Sequence, residues 1–135
     1  MPRDHTLQLT APPDDVDTVH ALLVGVWEDF PAISSMDRAR FETALIELAS
    51  NVIRHADGGG GVRCDLSIAV AHGRIEARLV DTGEAGGIDL MPRAMPDDLS
   101  EQGRGIPLIR ALVDEVEYSR SGVHNHWRIS RTLGR

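Results

Sequence analysis

The stretch Phe41-Glu-Thr-Ala-Leu-Ile-Glu-Leu-Ala-Ser-Asn-Val-Ile-Arg-His-Ala56 carries the clearest helical period in the chain. Its apolar residues recur every three or four positions, which predicts one amphipathic helix that buries a broad stripe. The stripe consists of Phe41, Ala44, Leu45, Leu48, Ala49, Val52, Ile53 and Ala56. Glu47, Asn51 and His55 are spaced four residues apart and form one row along the edge of this stripe.

This row of polar residues admits two interpretations. A carboxylate and a carboxamide one helical turn apart, beside an apolar face, can hold a metal ion and a polarised hydroxyl group together. Taken alone, a Glu and an Asn at this spacing are more simply the solvated shoulder of a helix. The rest of the chain has to decide between the two.

The length of 135 residues predicts a single domain, residues 1–135, with one substantial core. Hydrophobic residues make up 41% and charged residues 26%, which is typical of a globular chain rather than a disordered one. A net charge of −7 without a basic patch argues against a nucleic-acid partner. Because Cys64 is the only cysteine, we expect no internal disulfide and no cysteine-based zinc cluster. No apolar run is long enough to span a membrane and no signal-peptide core is present, so we expect a cytoplasmic protein without a membrane partner.

Local patterns predict a strand and a helix before the quoted stretch. Residues 6–10 alternate as a short strand, and Asp14 is the predicted N-cap of a helix over residues 15–30. The spacing of Ser34 and Asp37 is that of a capping box, which starts the quoted helix near Ser35.

Two hairpins are predicted after the quoted stretch. Strict alternation over residues 62–70 and 74–80 predicts a hairpin with one buried face, turned at His72-Gly73. Its second strand leads directly into Asp81-Thr-Gly83. The final hairpin is predicted over Glu115–Ser119 and His126–Ser130, with its turn at Ser121-Gly122.

A long segment without any period separates the two hairpins. A loop of the length of residues 90–102 inside a compact domain is either a functional lid or disordered. Gly103-Arg-Gly105 closes the loop, and Pro107, which fits only the first turn of a helix, places the next helix start near Gly105. Free backbone amides and the helix dipole favour an anion at such a glycine pair. By itself, the pair is equally typical of a tight turn.

Three short motifs occur in a fixed order: Glu47-Leu-Ala-Ser-Asn51, Asp81-Thr-Gly83 and Gly103-Arg-Gly105. Together they resemble the N box and the two glycine boxes of the Bergerat ATP-binding fold of the GHKL superfamily. The chain is most similar to the stand-alone bacterial anti-sigma-factor serine-protein kinases, over nearly its whole length and most closely over Gly103–Tyr118. The resemblance implies an α/β fold, an α+β two-layer sandwich in which helices cover one face of a mixed, mostly antiparallel sheet.

The resemblance also implies ATP and Mg²⁺ as cofactors. Asn51 would supply an oxygen ligand to Mg²⁺, a hard cation that prefers oxygen. Asp81 would accept a hydrogen bond from the adenine amine, while Gly83 would let the ring approach the backbone.

The remaining roles that the resemblance implies concern phosphate binding and catalysis. Gly103 and Gly105 would cradle the phosphates, and Arg104 would add compensating positive charge. Glu47 would act as the general base that takes a proton from a serine hydroxyl of a partner protein. Residues 86–102 would form a lid over the nucleotide.

The implied function is an ATP-dependent serine/threonine-protein kinase that acts as an anti-sigma factor. Such proteins sequester a sigma factor and phosphorylate a STAS-type anti-sigma antagonist. Many of them are homodimers, and this sequence leaves the oligomeric state undecided. One departure is that Ala85 occupies the position of the family's second glycine, followed by Gly86-Gly87. This departure leaves open a nucleotide-binding partner-switch module without kinase activity. The catalytic fragment of a histidine kinase is a separate alternative, although no pair of dimerisation helices with a phospho-accepting His lies in these 135 residues. His55 has no assigned role.

Overall fold

The structure is a computed structural model that describes residues 5–11, 14–55, 62–82 and 105–134. Five strands and three helices lie in these ranges, and none of the described helices is long and apolar enough to span a membrane. The elements are β1 (His5–Ala11), α1 (Val16–Asp29), α2 (Ser35–His55), β2 (Val62–Ala71), β3 (Arg74–Asp81), α3 (Gly105–Leu112), β4 (Glu115–Ser121) and β5 (His124–Thr132).

The strands form one sheet in the order β1-β2-β3-β5-β4. All four pairings among the described strands are antiparallel, which confirms the predicted α+β sandwich with a mostly antiparallel sheet. The turn between β2 and β3 is the predicted His72-Gly73, with φ of 55° and 72°. Two consecutive positive φ values suit the right-handed twist of a two-residue hairpin. The last hairpin turns one residue later than predicted, at Gly122 and Val123, because β4 continues to Ser121.

The core lies between the helices and one face of the sheet. Period-two alternation in β2 and β3 buries one face of each strand, and the buried stripe of α2 covers it. The predicted stripe residues Phe41, Ala44, Leu45, Leu48, Ala49 and Val52 are all buried. The quoted stretch therefore forms the central helix of the core, as its period indicated.

The opposite face of the sheet is polar and carries a network of ion pairs. Arg128 lies at its centre and contacts Glu117 at 2.8 Å, Glu115 at 2.9 Å and Glu76 at 3.0 Å. These contacts raise the pKa of Arg128, mainly through its hydrogen bond to Glu117. A charged outer face opposite a buried one accounts for the alternation seen in β2 and β3.

The caps of the two long helices differ in how well local sequence predicted them. Ser34 accepts a hydrogen bond from the backbone N–H of Asp37 at 3.1 Å, so the capping box predicted for α2 is confirmed on this side. The N-cap of α1 is Asp15 rather than the predicted Asp14. Asp14 instead accepts from the backbone N–H of Thr10 at 2.9 Å and closes the turn after β1. Two adjacent Asp residues offered the same short side chain, and Asp14 is already engaged with the backbone of Thr10.

Candidate functional site

Asp81 is the last residue of β3 and lies on its inner face, where it is 2% exposed. Its register partners are Cys64 in β2 and Asn125 in β5. The next residue, Thr82, ties the end of β3 to β2: its hydroxyl accepts from the backbone N–H of Arg63 and its own N–H donates to the carbonyl of Arg63, both at 3.2 Å. The carboxylate of Asp81 therefore stands at a fixed point on the edge of the core.

Two side chains of β5 donate hydrogen bonds to this carboxylate. Asn125 Nδ2 lies 2.9 Å from Asp81 Oδ1, and Trp127 Nε1 lies 3.1 Å from Asp81 Oδ2. Asn125 in turn accepts at Oδ1 from Tyr118 Oη at 2.6 Å and from Arg120 Nη1 at 3.0 Å. The Tyr118 and Trp127 rings pack with centroids 4.5 Å apart. A polar cluster of five residues thus joins the ends of β3, β4 and β5.

Cys64 lies beside this cluster and is a buried free thiol. Burial, reinforced by the negative charges of Asp81 and Asp65, raises the pKa of the Cys64 thiol to about 12. A thiol with such a pKa is protonated at neutral pH and is a poor nucleophile. Its place in the core agrees with a packing role.

Asn51 lies on the buried face of α2 and is only 1% exposed. The solvated-shoulder interpretation is therefore wrong for Asn51, because an Asn on the shoulder of a helix would face water. Glu47, one turn earlier, is half-buried, so the two residues differ in their access to solvent. The side chain of His55, the third residue of the row, lies outside the described residues.

Glu47 faces a groove between α1 and α2. The groove is open and has a volume of about 450 Å³. Its lining includes Val16, Asp17 and His20 of α1 and Glu42, Thr43, Ile46 and Glu47 of α2. A macromolecule could therefore reach Glu47 from the helical side of the fold without entering the core.

Of the third motif, Gly103-Arg-Gly105, the structure describes only the last residue, Gly105. Gly105 is the first residue of α3, as the position of Pro107 predicted, and α3 packs against α2. Ile109 within α3 and Val113 directly after it are buried in the core. The other predicted site residues, Gly83, Gly103 and Arg104, and the lid over residues 86–102 lie outside the described residues.

Sequence reasoning missed the hydrogen-bond partners of Asp81. It placed Trp127 in the last strand but gave no role to Asn125, Tyr118 or Arg120. One signal was present: Asn125 alternates with Trp127 and Ile129, so it falls on an apolar strand face. A polar side chain on such a face needs a buried partner.

Comparison with known proteins identifies a family and a shared fold. Residues 9–131 match the family described as the histidine kinase-like ATPase domain. No curated protein matches the chain significantly.

Three solved structures share the fold. The RsbU and RsbW domains of Rv1364c from Mycobacterium tuberculosis align with a TM-score of 0.70 and 19% identity, over 97% of this chain and 32% of that one. The histidine kinase domain of a blue-light activated histidine kinase from Erythrobacter litoralis aligns with a TM-score of 0.57 and 16% identity, over 87% of this chain and 60% of that one. The Acinetobacter baumannii histidine kinase AdeS aligns with a TM-score of 0.52 and 18% identity, over 96% of this chain and 68% of that one. This chain thus spans about one third of the length of the first of these structures.

The family match covers most of the sequence. Asn51 on α2 and Asp81 on β3, which belong to two of the motifs that suggested this family, are both buried. The chain belongs to the GHKL superfamily, in the family of histidine kinase-like ATPase domains.

Proposed function

We propose that this chain is an ATP-dependent serine/threonine-protein kinase that acts in the cytoplasm as an anti-sigma factor and phosphorylates a STAS-type antagonist. The observation that carries this proposal is the different exposure of Glu47 and Asn51 on one face of α2. Asn51 faces the interior, where a nucleotide-bound cation would be shielded, while Glu47 faces an open groove. The pair is thus suited to join a nucleotide on one side to a protein substrate on the other.

The residues present fit ATP and Mg²⁺. The buried carboxylate of Asp81 is an acceptor suited to the exocyclic amine of adenine, and Gly83 would leave room for the ring. The amide oxygen of Asn51 is a ligand of the kind that Mg²⁺ prefers, and Mg²⁺ usually takes only one or two ligands from the protein, with phosphates and water supplying the others. When bound, ATP supplies the phosphoryl group.

Phosphate binding is assigned to the segment that opens α3. Gly103 and Gly105 would offer backbone amides to the phosphates at the helix N-terminus. Arg104 would offset part of the negative charge that the nucleotide brings to a chain of net charge −7. Residues 86–102 would close over the site and exclude water.

Glu47 is assigned the role of general base. Its carboxylate would accept the hydroxyl proton of the acceptor serine, which would approach through the groove between α1 and α2. Phosphoryl transfer otherwise depends on positioning and on charge neutralisation, which the remaining residues would provide.

The assignment of partners is supported by the similarity to a structure that contains an RsbW domain. A sigma factor and a STAS-domain antagonist are the proposed partners. Two histidine kinases share the fold to a lesser degree, so a histidine-kinase catalytic fragment is the second candidate, and a nucleotide-binding switch module without kinase activity is the third.

Phosphotransfer tests the proposal. The purified chain with Mg-ATP is mixed with STAS-domain proteins of the same genome, and stable phosphoserine or phosphothreonine is measured. Glu47→Gln keeps the shape but removes the base, so it should abolish transfer while ATP binding stays within about twofold. Glu28→Gln, the same change on an exposed position of α1, is the control and should transfer at the wild-type rate.

Three results would contradict the proposal. Wild-type transfer by Glu47→Gln would remove Glu47 as the base. ATP binding without transfer to any STAS protein would favour the switch module, and acid-labile transfer to a histidine would favour the histidine-kinase fragment.

A further inference from the structure

We propose that Tyr118, Asn125 and Trp127 are positioning residues that hold the Asp81 carboxylate as a hydrogen-bond acceptor and so make this site select a purine that carries an exocyclic amine. This inference rests on the proposed binding of ATP at Asp81. It assigns the selection to residues of β4 and β5 that lie outside all three sequence motifs.

The direction of the hydrogen bonds in this cluster follows from the chemistry of its outermost member. Arg120 can only donate, so the side-chain atom of Asn125 that lies 3.0 Å from Arg120 Nη1 must be the oxygen. The Tyr118 hydroxyl donates to the same oxygen at 2.6 Å. The amide nitrogen of Asn125 therefore points to Asp81 Oδ1, at 2.9 Å, and it can only donate there.

Trp127 acts on the other oxygen of the same carboxylate. An indole nitrogen is a donor and never an acceptor, so Asp81 Oδ2 accepts from Trp127 Nε1 at 3.1 Å. Both oxygens of the Asp81 carboxylate thus accept hydrogen bonds from groups that can only donate. The donors are themselves fixed, since Asn125 is 4% exposed, Trp127 is 3% exposed and the Trp127 ring packs on Tyr118.

The consequence is selectivity at one position of the base. An amine at this position donates to the held carboxylate, whereas a carbonyl oxygen, as in guanine or hypoxanthine, would set two acceptors against each other. A buried acceptor pair without a proton between its members is costly, which is why such contacts discriminate strongly. A carboxylate free to rotate or to move away would discriminate less.

A comparison of two ligands tests the inference by calorimetry with Mg²⁺ present. The ligands are ATP and the triphosphate of purine riboside, which lacks only the exocyclic amine. Trp127→Phe keeps the ring but removes the donor, and Tyr118→Phe removes the hydroxyl that orients Asn125. Each should weaken ATP binding by roughly fivefold to tenfold while leaving the affinity for purine riboside triphosphate within about twofold.

The matched control is His126→Gln, which changes the exposed neighbour of Trp127 on the outer face of β5. It should leave both affinities at the wild-type values. If Trp127→Phe lowered the affinity for both ligands equally, Trp127 would have a merely structural role and the inference would be overturned. If Trp127→Phe does not fold, Tyr118→Phe decides alone, since it keeps the ring contact, and an unchanged preference for ATP in that variant would equally overturn it.

The experiment also separates this inference from the proposed function. It needs no protein substrate, so an amine preference that depends on Trp127 and Tyr118 would stand even if no phosphotransfer were found. A wild-type protein that binds both triphosphates equally, or binds neither, would overturn the inference whatever the kinase assay shows.

Discussion

Arg131 near the end of β5 and Asp37 in the first turn of α2 form a buried ion pair, although 94 residues separate them in the chain. Arg131 Nε and Nη2 each lie 2.9 Å from Asp37 Oδ1. Arg131 Nη1 also donates to the carbonyl of Leu112 at the end of α3, and the backbone N–H of Gly134 donates to Asp37 Oδ2. One pair of charges thus connects α2, which carries Glu47 and Asn51, with α3 and the last strand.

Removing both partners of this pair should cost less stability than the sum of the losses from removing each one alone. Arg131→Met leaves a buried carboxylate without its cation and should lower the free energy of unfolding by about 3 kcal/mol. Arg131→Met combined with Asp37→Leu should lose clearly less than the sum of the two single changes. Urea unfolding measures these values. Arg78→Met, which removes a well-exposed ion pair, is the control and should cost less than about 1 kcal/mol. Additive losses would show that the two residues act independently.

The same carboxylate predicts how stability depends on acidity. Burial alone would raise the pKa of Asp37, but the N–H of Gly134, Arg131 and Ser34 outweigh it, so its pKa lies below the usual value. A depressed pKa stabilises the fold above the unfolded pKa of about 4 and stops doing so as the pH falls through the folded value. The unfolding free energy should therefore fall between about pH 5 and about pH 2, and more steeply in the wild type than in Asp37→Asn. Parallel curves for the two proteins would rule out this contribution.

Cys64 should be almost inert in the folded protein. Burial raises the pKa of this thiol to about 12, with Asp81 and Asp65 adding to the shift, so the reactive thiolate is scarce near neutral pH. An aromatic disulfide reagent should react at least about a hundredfold more slowly with the native chain than with the chain in urea. The comparison is made by absorbance at one pH. Similar rates in the two states would show that the thiol is accessible.

Asn51 should matter for nucleotide binding only when a divalent cation is present. Asn51→Ala removes the amide oxygen assigned to Mg²⁺, so the variant should lose roughly tenfold in ATP affinity with Mg²⁺ and little with a chelator. Titration calorimetry under both conditions measures the difference. Ser50→Ala, the neighbouring half-buried position on α2, is the control. An equal loss with and without Mg²⁺ would assign Asn51 to packing or to direct nucleotide contact instead.

Most secondary structure could be predicted because it depends on local patterns. The alternation of β2 and β3 and the stripe of α2 are properties of neighbouring residues, and Pro107 marks the start of α3 without any tertiary information. Errors occurred where two local solutions were equivalent. Asp14 and Asp15 are both good caps, and the hydrogen bond that Asp14 accepts from Thr10 of β1 distinguishes them.

The candidate site was predictable in its motifs and not in its environment. Glu47, Asn51 and Asp81 could be proposed as site residues because their order and spacing resemble the motifs of a family. The burial of Asn51 was not predictable, since a helical row beside an apolar stripe can face either way. Whether such a row is exposed depends on the elements that pack against the helix, and one that contacts α2, namely α3, follows it in the chain only after two strands of the sheet.

The sequence alone thus determined the type and order of the elements, the two hairpins and the positions of three motifs, because each depends on residues close together in the chain. The mostly antiparallel sheet was expected only from the resemblance to a family. Only the tertiary structure decided which donors meet these motifs. Asn125 and Trp127 reach Asp81 across 44 and 46 residues, and Arg131 reaches Asp37 across 94. Such pairs depend on strand order and register, which arise when the sheet forms and the helices pack on it. The period of β5 can indicate that Asn125 is buried, but it does not indicate which distant residue forms its hydrogen bond.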